Sequence, residues 1–205
     1  MRSILTATTL GVALLVAGCQ NSSSIAYGDA NSIIVAAPES LWSAIDQDVR
    51  DVLEPPFFAV RNERAFEVTH IAPTEPEWGQ LRFWRQVVIL GQEDDPWMEP
   101  FVGKGDATQI GSARIVERES VWARGQRVTA VVLPAGGEVT AVREVLPTLY
   151  ERFDERYRKY VVERMYASGV NAELGEQLRE EASFSLTLPN VYRHWTTDGP
   201  VHVFV

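Results

Sequence analysis

The chain has 205 residues, 45% hydrophobic and 23% charged, the balance of a protein that buries a core. Its formal charge is −9, from 19 basic against 28 acidic residues; so acidic a surface repels phosphate backbones and excludes nucleic acid as an expected partner. A single cysteine leaves no disulfide within the chain and no cysteine-based metal site.

Met1 and Arg2 precede an uncharged run from Ser3 to Gly18, which ends on that lone cysteine, Cys19. A positive residue, an apolar stretch and small residues at a cleavage point make a secretory signal. The order Val16-Ala17-Gly18-Cys19 reads as a lipobox, with cleavage before Cys19 and acylation of its thiol. A membrane span needs roughly 20 strongly apolar residues, and this run is shorter and diluted by Ser3, Thr6, Thr8 and Thr9. The expected organisation is a signal peptide over 1–18, a lipidated tether over 19–31 and a single domain over 32–205. Gln20 is not the aspartate that commonly retains lipoproteins at the inner membrane. The expected location is therefore a bacterial cell envelope, at the outer membrane facing the periplasm, with the membrane as partner through the N-terminal lipid.

Gln20 to Asn31 is polar and Ser-rich without a period, which predicts an extended, mobile segment. Ile33 to Ala37 is a short β-branched run closed by Pro38, a strand buried on both faces. Leu41, Ile45, Val49 and Val52 recur at helical spacing until Pro55-Pro56 stops them. Phe66 and Val68 alternate with polar neighbours in a second strand. Thr74 to Glu77 fits a capping box before a short helix with Trp78, Leu81 and Trp84, and Gln86 to Leu90 is a third buried strand. The first half thus reads β-α-β-α-β.

Gln92 to Ser112 shows no regular pattern. Ala113–Val121 and Arg127–Leu133 read as a hairpin around Ala123-Arg124-Gly125. Val139 to Ala167 is the longest helical pattern, with Leu146, Leu149, Phe153, Tyr157, Tyr160, Val161 and Met165 on its apolar face. Pro147 is expected to kink or split it. Gly169 fits a helix terminator, and Asn171 a cap for a short helix with Leu174 and Leu178 inward. Phe184, Leu186 and Leu188 alternate as a half-buried strand, and Val201 to Val205 reads as a strand covered on both faces. The expected fold is α+β: a mixed, mostly antiparallel sheet with helices packed on one face, built from two ferredoxin-like β-α-β units.

Several stretches in this order, SIIVAAPESLW, RNERAFEVTHIAP, FWRQVVIL, VWARGQRVTAVVLPA and SFSLTLPNVYRHW, resemble the envelope lipoproteins grouped as domain of unknown function 4837. The resemblance rests on scattered aromatic, Pro and Gln positions. It implies a tethered α+β domain, no particular reaction, and a short or C-terminally incomplete member, since that family's chains run on past this point.

No pattern carries catalysis. The histidines are His70, His194 and His202; none of their spacings is that of a helical zinc site. His194 and His202 are placed to face each other across a hairpin. Glu93-Asp94-Asp95, with Glu99 and Asp106, offers carboxylates to calcium but lacks a loop spacing for it, so neither metal nor cofactor is expected. Leu133 to Gly137 before the long helix has the geometry that cradles phosphate, but Glu138 puts a negative charge where the anion would sit. Trp122 and Gln126 flank the hairpin turn. They are ligand-binding candidates as an aromatic platform, against a reading in which Trp122 folds onto the sheet and the Gln126 amide closes the turn. Trp78, Phe83, Trp84 and Trp97 divide the same way between groove and core. The expectation is a lipid-anchored, non-catalytic binding or scaffolding domain whose envelope protein or polymer partner is not named by the sequence. The alternative is an envelope hydrolase using a carboxylate pair, one member with a raised pKa.

Overall fold

The structure, a computed structural model, describes residues 24–58, 60–103, 106–196 and 201–205. Cys19 and the stretch expected to be a signal peptide lie outside the described residues. Two compact units divide the chain, one ending at Val145 and the other beginning at Leu146.

In the first unit, β1 (Ser32–Ala36) lies between two strands that both follow it in sequence, β4 (Glu67–Ile71) and β5 (Gln86–Gly91). All pairings here are parallel, as is that of β5 with β8 (Arg127–Val132). Strands β7 (Ala113–Glu119) and β6 (Ala107–Ile110) complete the order β4-β1-β5-β8-β7-β6, antiparallel to their neighbours. Two separate hairpins, β2 (Pro56–Phe58) with β3 (Asn62–Arg64) and β9 (His194–Thr196) with β10 (His202–Phe204), are antiparallel as well. Over the described residues antiparallel ladders outnumber parallel ones, four to three. The fold is α+β on a mixed sheet.

Central parallel strands are buried on both faces, which is why their sequences are near-continuous apolar runs. In register, Ile34 pairs with Val87 and Val87 with Val128, and this row belongs to a core closed over by Trp78, Leu81, Trp84, Trp97 and Trp122. These come from the short α2 (Trp78–Leu81), the segment that joins it to β5, the 3-10 turn Pro96–Met98 and the β7–β8 turn. On the other face α1 (Glu39–Leu53) packs against β4: Trp42 stacks on His70 at 4.4 Å, and Arg50 Nη1 donates to the Val68 carbonyl at 3.3 Å. The longer α1 keeps to one face, while α2 and the 3-10 turn cover the opposite one.

The buried stripe of α1 is Trp42, Ile45, Val49 and Leu53. Its middle is the expected one, but at each end the inward residue lies one position later than Leu41 and Val52. The bulkier Trp42 takes the inward place because His70 offers it a stacking partner. Helix α2 has no side-chain cap; the Thr74 capping box is replaced by successive tight turns, Glu75 N to Ala72 O, Trp78 N to Glu75 O and Gly79 N to Pro76 O. Residues 24–31, expected as mobile tether, are seated on the unit. Ala26 N donates to Arg124 O, Arg124 N to Ser24 O and Arg85 N to Tyr27 O, while the Tyr27 ring meets Trp84 edge-on at 4.7 Å. Gly28 has φ +91° and lies so close over the Trp84 indole that no Cβ fits there.

In the second unit, α3 (Glu138–Met165, begun in the first unit) contains Pro147 without being split. Leu146, Leu149 and Phe153 are buried, but Tyr160, Val161 and Met165 are exposed, so the predicted apolar face is buried only along its first turns. Asn171 caps α4 (Ala172–Ala182) as expected, its Oδ1 accepting from Leu174 N at 3.0 Å. Phe184, Leu186 and Leu188 form no strand. Phe184 and Leu188 instead cover Leu174 and Leu178, together with Phe204. Strand β10 is only half-buried and, among the described residues, pairs with β9 alone, where two covered faces were expected.

Glu54, just past α1, is the most consequential buried charge of the first unit. Its carboxylate accepts from Val68 N at 2.7 Å, Arg64 Nη1 at 2.9 Å and Arg50 Nη1 at 3.3 Å, tying together the end of α1, the β2–β3 hairpin and the edge strand β4. Arg50 and Arg64 keep exposed side chains, so removing the carboxylate chiefly leaves the buried Val68 N–H without an acceptor, at a cost of about 1–3 kcal/mol. Glu54→Ala should therefore lower unfolding stability by that amount in a denaturant titration, and Glu54→Gln by less, because the amide oxygen still serves Val68 N. Equal stability of all three proteins would remove Glu54 from the account.

Candidate functional site

The chain leaves β1 for β4 on one side, then returns across β1 to place β5 on the other. Successive connections thus diverge from the carboxyl ends of β1 and β5. In open parallel sheets this switch point is where a crevice forms and ligands bind. A cavity of about 320 Å³ lies here, lined by Pro38, Ser40, Leu41, Gly91, Gln92, Asp95, Leu133, Glu138 and Val139. Each wall comes from a strand end or the start of the helix after it.

Three devices shape the cleft. His70 Nε2 bonds the Ala37 carbonyl at 2.9 Å and holds the turn from β1 into α1. Gly91 allows the chain to fold back on itself, for a Cβ there would come within 2.6 Å of Trp97 Nε1 and 2.7 Å of Asp95 Oδ2. Its neighbour Gln92 joins the two acidic residues: its backbone N–H donates to Asp95 Oδ2 at 2.7 Å and its side-chain Nε2 to Glu138 Oε1 at 2.6 Å.

The Gly136-Gly137 turn is the phosphate-cradle geometry noted in the sequence, and it already holds an anion. The Glu138 carboxylate accepts from Gly136 N at 3.2 Å and Gly137 N at 3.0 Å. Its own backbone N–H, then Gly136, Gly137 and the Gln92 amide favour the ionised form, and together they outweigh partial burial and hold it below the ordinary value of 4.5. A carboxylate so satisfied stays ionised and makes a poor general acid. Among the described residues the cleft therefore presents Asp95 and Glu138 and no basic side chain.

The other sequence candidates lie elsewhere. Gln126 is 1% exposed and spends its amide inside the protein: Nε2 donates to the Arg82 and Trp84 carbonyls and Oε1 accepts from Trp122 N. Trp122 meets Trp78 and Phe101 edge-on at 5.5 and 6.1 Å within the aromatic core. His194 and His202 do face each other, Nε2 to Nδ1 at 3.0 Å, in the second unit. Of the acidic loop, Glu93 pairs with Arg114 at 3.2 Å while Asp95 turns to Gln92. Gln92, Ser40 and Gly91 were not foreseen as site residues. Their only signal was position, directly after apolar strands, and that becomes informative once the strand order is known.

A family model described as domain of unknown function (DUF8532) matches residues 26–166. The chain belongs to that family. This corrects the expected membership in domain of unknown function 4837. The stretches behind that resemblance shared residue types at scattered positions rather than a signature, and one of them, Ser183 to Trp195, falls outside the matched residues. The DUF8532 match takes in the whole cleft, and it begins within the seated segment at Ala26. No curated protein and no solved structure matches the chain.

Because the Glu138 pKa is lower in the folded than in the unfolded state, its contribution to stability is complete above pH 4.5 and is lost as pH falls through the lower folded value. Urea midpoints followed from neutral pH downward should fall more steeply below 4.5 for the wild type than for Glu138→Gln. Parallel curves would mean that the carboxylate is not held by the glycine amides.

Proposed function

We propose that this is a lipid-anchored bacterial envelope protein whose DUF8532 domain binds a small amine-bearing solute without transforming it. One observation carries the binding part: a cleft at the sheet's switch point lined, among the described residues, by two carboxylates and no basic side chain. Its volume suits a small ligand, Pro38, Leu41, Leu133 and Val139 offer apolar cover to a short aliphatic portion, and Asp95 with Glu138 would meet an ammonium by charge-assisted hydrogen bonds. The lipid anchor is supported by the sequence reading of Cys19. A hydrolase built on the same two acids fits less well, since such an enzyme needs one acid with a raised pKa and Glu138 is shifted the other way.

Calorimetric titration with putrescine, lysine and arginine, against acetate, phosphate and glucose, tests this reading. Binding by at least one amine and by none of the anions is expected. Asp95→Asn keeps an acceptor for Gln92 N but removes the charge, and should weaken amine binding about tenfold, or roughly 1.4 kcal/mol. A protein that ignores all three amines, or binds them unchanged in Asp95→Asn, does not use this cleft.

A further inference from the structure

We propose that the sheet edge opposite the cleft faces a lipid bilayer, with the β2–β3 hairpin inserting its apolar tip into the membrane interface. The inference rests on the lipid anchor at Cys19 and goes beyond it by orienting the domain. Strands β4, β1, β5 and β8 are parallel and in register, so they all begin on one edge, at Glu67, Ser32, Gln86 and Arg127. The cleft is at the other edge. Ser24 to Gly28 runs along the starting edge, bonded to Phe83, Arg85 and Arg124 just before β5 and β8 begin. Ser24 is five residues beyond Cys19, a reach of at most about 18 Å when fully extended. An acyl anchor at Cys19 therefore keeps this edge close to the membrane surface.

The hairpin rises from the same edge. Its base is fixed there by Arg64 to Glu54 at 2.9 Å, Ala65 N to Pro55 O and Glu67 N to Asn31 O. Its outer part is apolar and exposed: Phe57, Phe58 at 77% and Val60 at 96%, with Ile25 also exposed on this edge. A two-stranded hairpin is marginal in water, and contiguous exposed apolar surface marks a contact site. Arg61 and Arg64 flank these residues with exposed side chains, paired with Glu63 at 3.4 Å and Glu54 at 2.9 Å, so that charged groups lie at head-group depth while the aromatic rings enter the interface.

The test uses the mature acylated protein in vesicles of phosphatidylethanolamine and phosphatidylglycerol, with a polarity-sensitive thiol fluorophore. Acylation occupies the native thiol, so wild type should take no label, while Val60→Cys and Thr140→Cys, the latter at the cleft end, each take one. The Val60→Cys probe should emit to the blue of its detergent-free vesicle-less value and be quenched by brominated acyl chains; the Thr140→Cys probe should do neither. A Val60→Cys probe that stays in water overturns the hairpin contact even if Cys19 is blocked. A blue shift at Val60 without vesicles assigns the hairpin to a second copy of the chain and also overturns it. Wild type that takes the label overturns the anchor itself, a failure distinguishable from the other two.

Discussion

The first unit depends on one constraint: β1 takes a parallel neighbour on each side, and both come later in the chain. Parallel neighbours need crossover connections, because a tight turn only joins antiparallel strands. Crossovers keep one hand, so the connection to β4 and the connection back across β1 to β5 use opposite faces. That is why α1 lies against β4 on one face while α2 and its aromatic companions close the other. It also opens the cleft, since the chain ends leaving β1 and β5 are pulled apart. Removing the reversal would leave neither a two-sided core nor a crevice.

The same constraint sorts the chemistry of the unit by edge. Where the parallel strands end, helix starts and glycine turns gather backbone N–H groups that would attract an anion. Here the protein supplies its own anion, Glu138, on the Gly136 and Gly137 amides. The cradle is thereby converted from a site for phosphate into part of an acidic wall. Gln92 couples that wall to Asp95, so the two acids are held by one residue at the end of β5. Where the strands begin, the N-terminal segment and the β2–β3 hairpin meet, and Glu54 secures the hairpin base.

Much of this was legible in the sequence, and what was not failed for identifiable reasons. The runs Ile33–Ala36 and Gln86–Leu90, the β7–β8 turn at Gly125 and the Asn171 cap each carry a local signal, and each is where that signal put it. Strand order is not local. The sequence showed an acidic loop at 93–95 and a glycine turn at 136–137 as separate features; only the pairing of β5 with β8 brings them to one cleft. Alternation at Phe184, Leu186 and Leu188 does not say whether a partner strand exists; without one, Phe184 and Leu188 cover α4 while Leu186 is exposed. The segment Ile25 to Gly28 looked mobile by composition, yet it is fixed by backbone hydrogen bonds and by Gly28 fitting over Trp84, to which composition is blind. Family membership failed similarly, through residue types that many chains share.

The central claim is that the reversal at β1 makes a cleft that works as a binding site. Amide chemical-shift mapping during titration with putrescine examines it most directly, because each cleft wall reports through its own backbone N–H. The largest perturbations should fall on Ser40, Gly91, Gln92, Gly136 and Gly137, residues from three separate strand ends. Perturbations confined to the β9–β10 hairpin, or spread evenly over acidic surface residues, would contradict it.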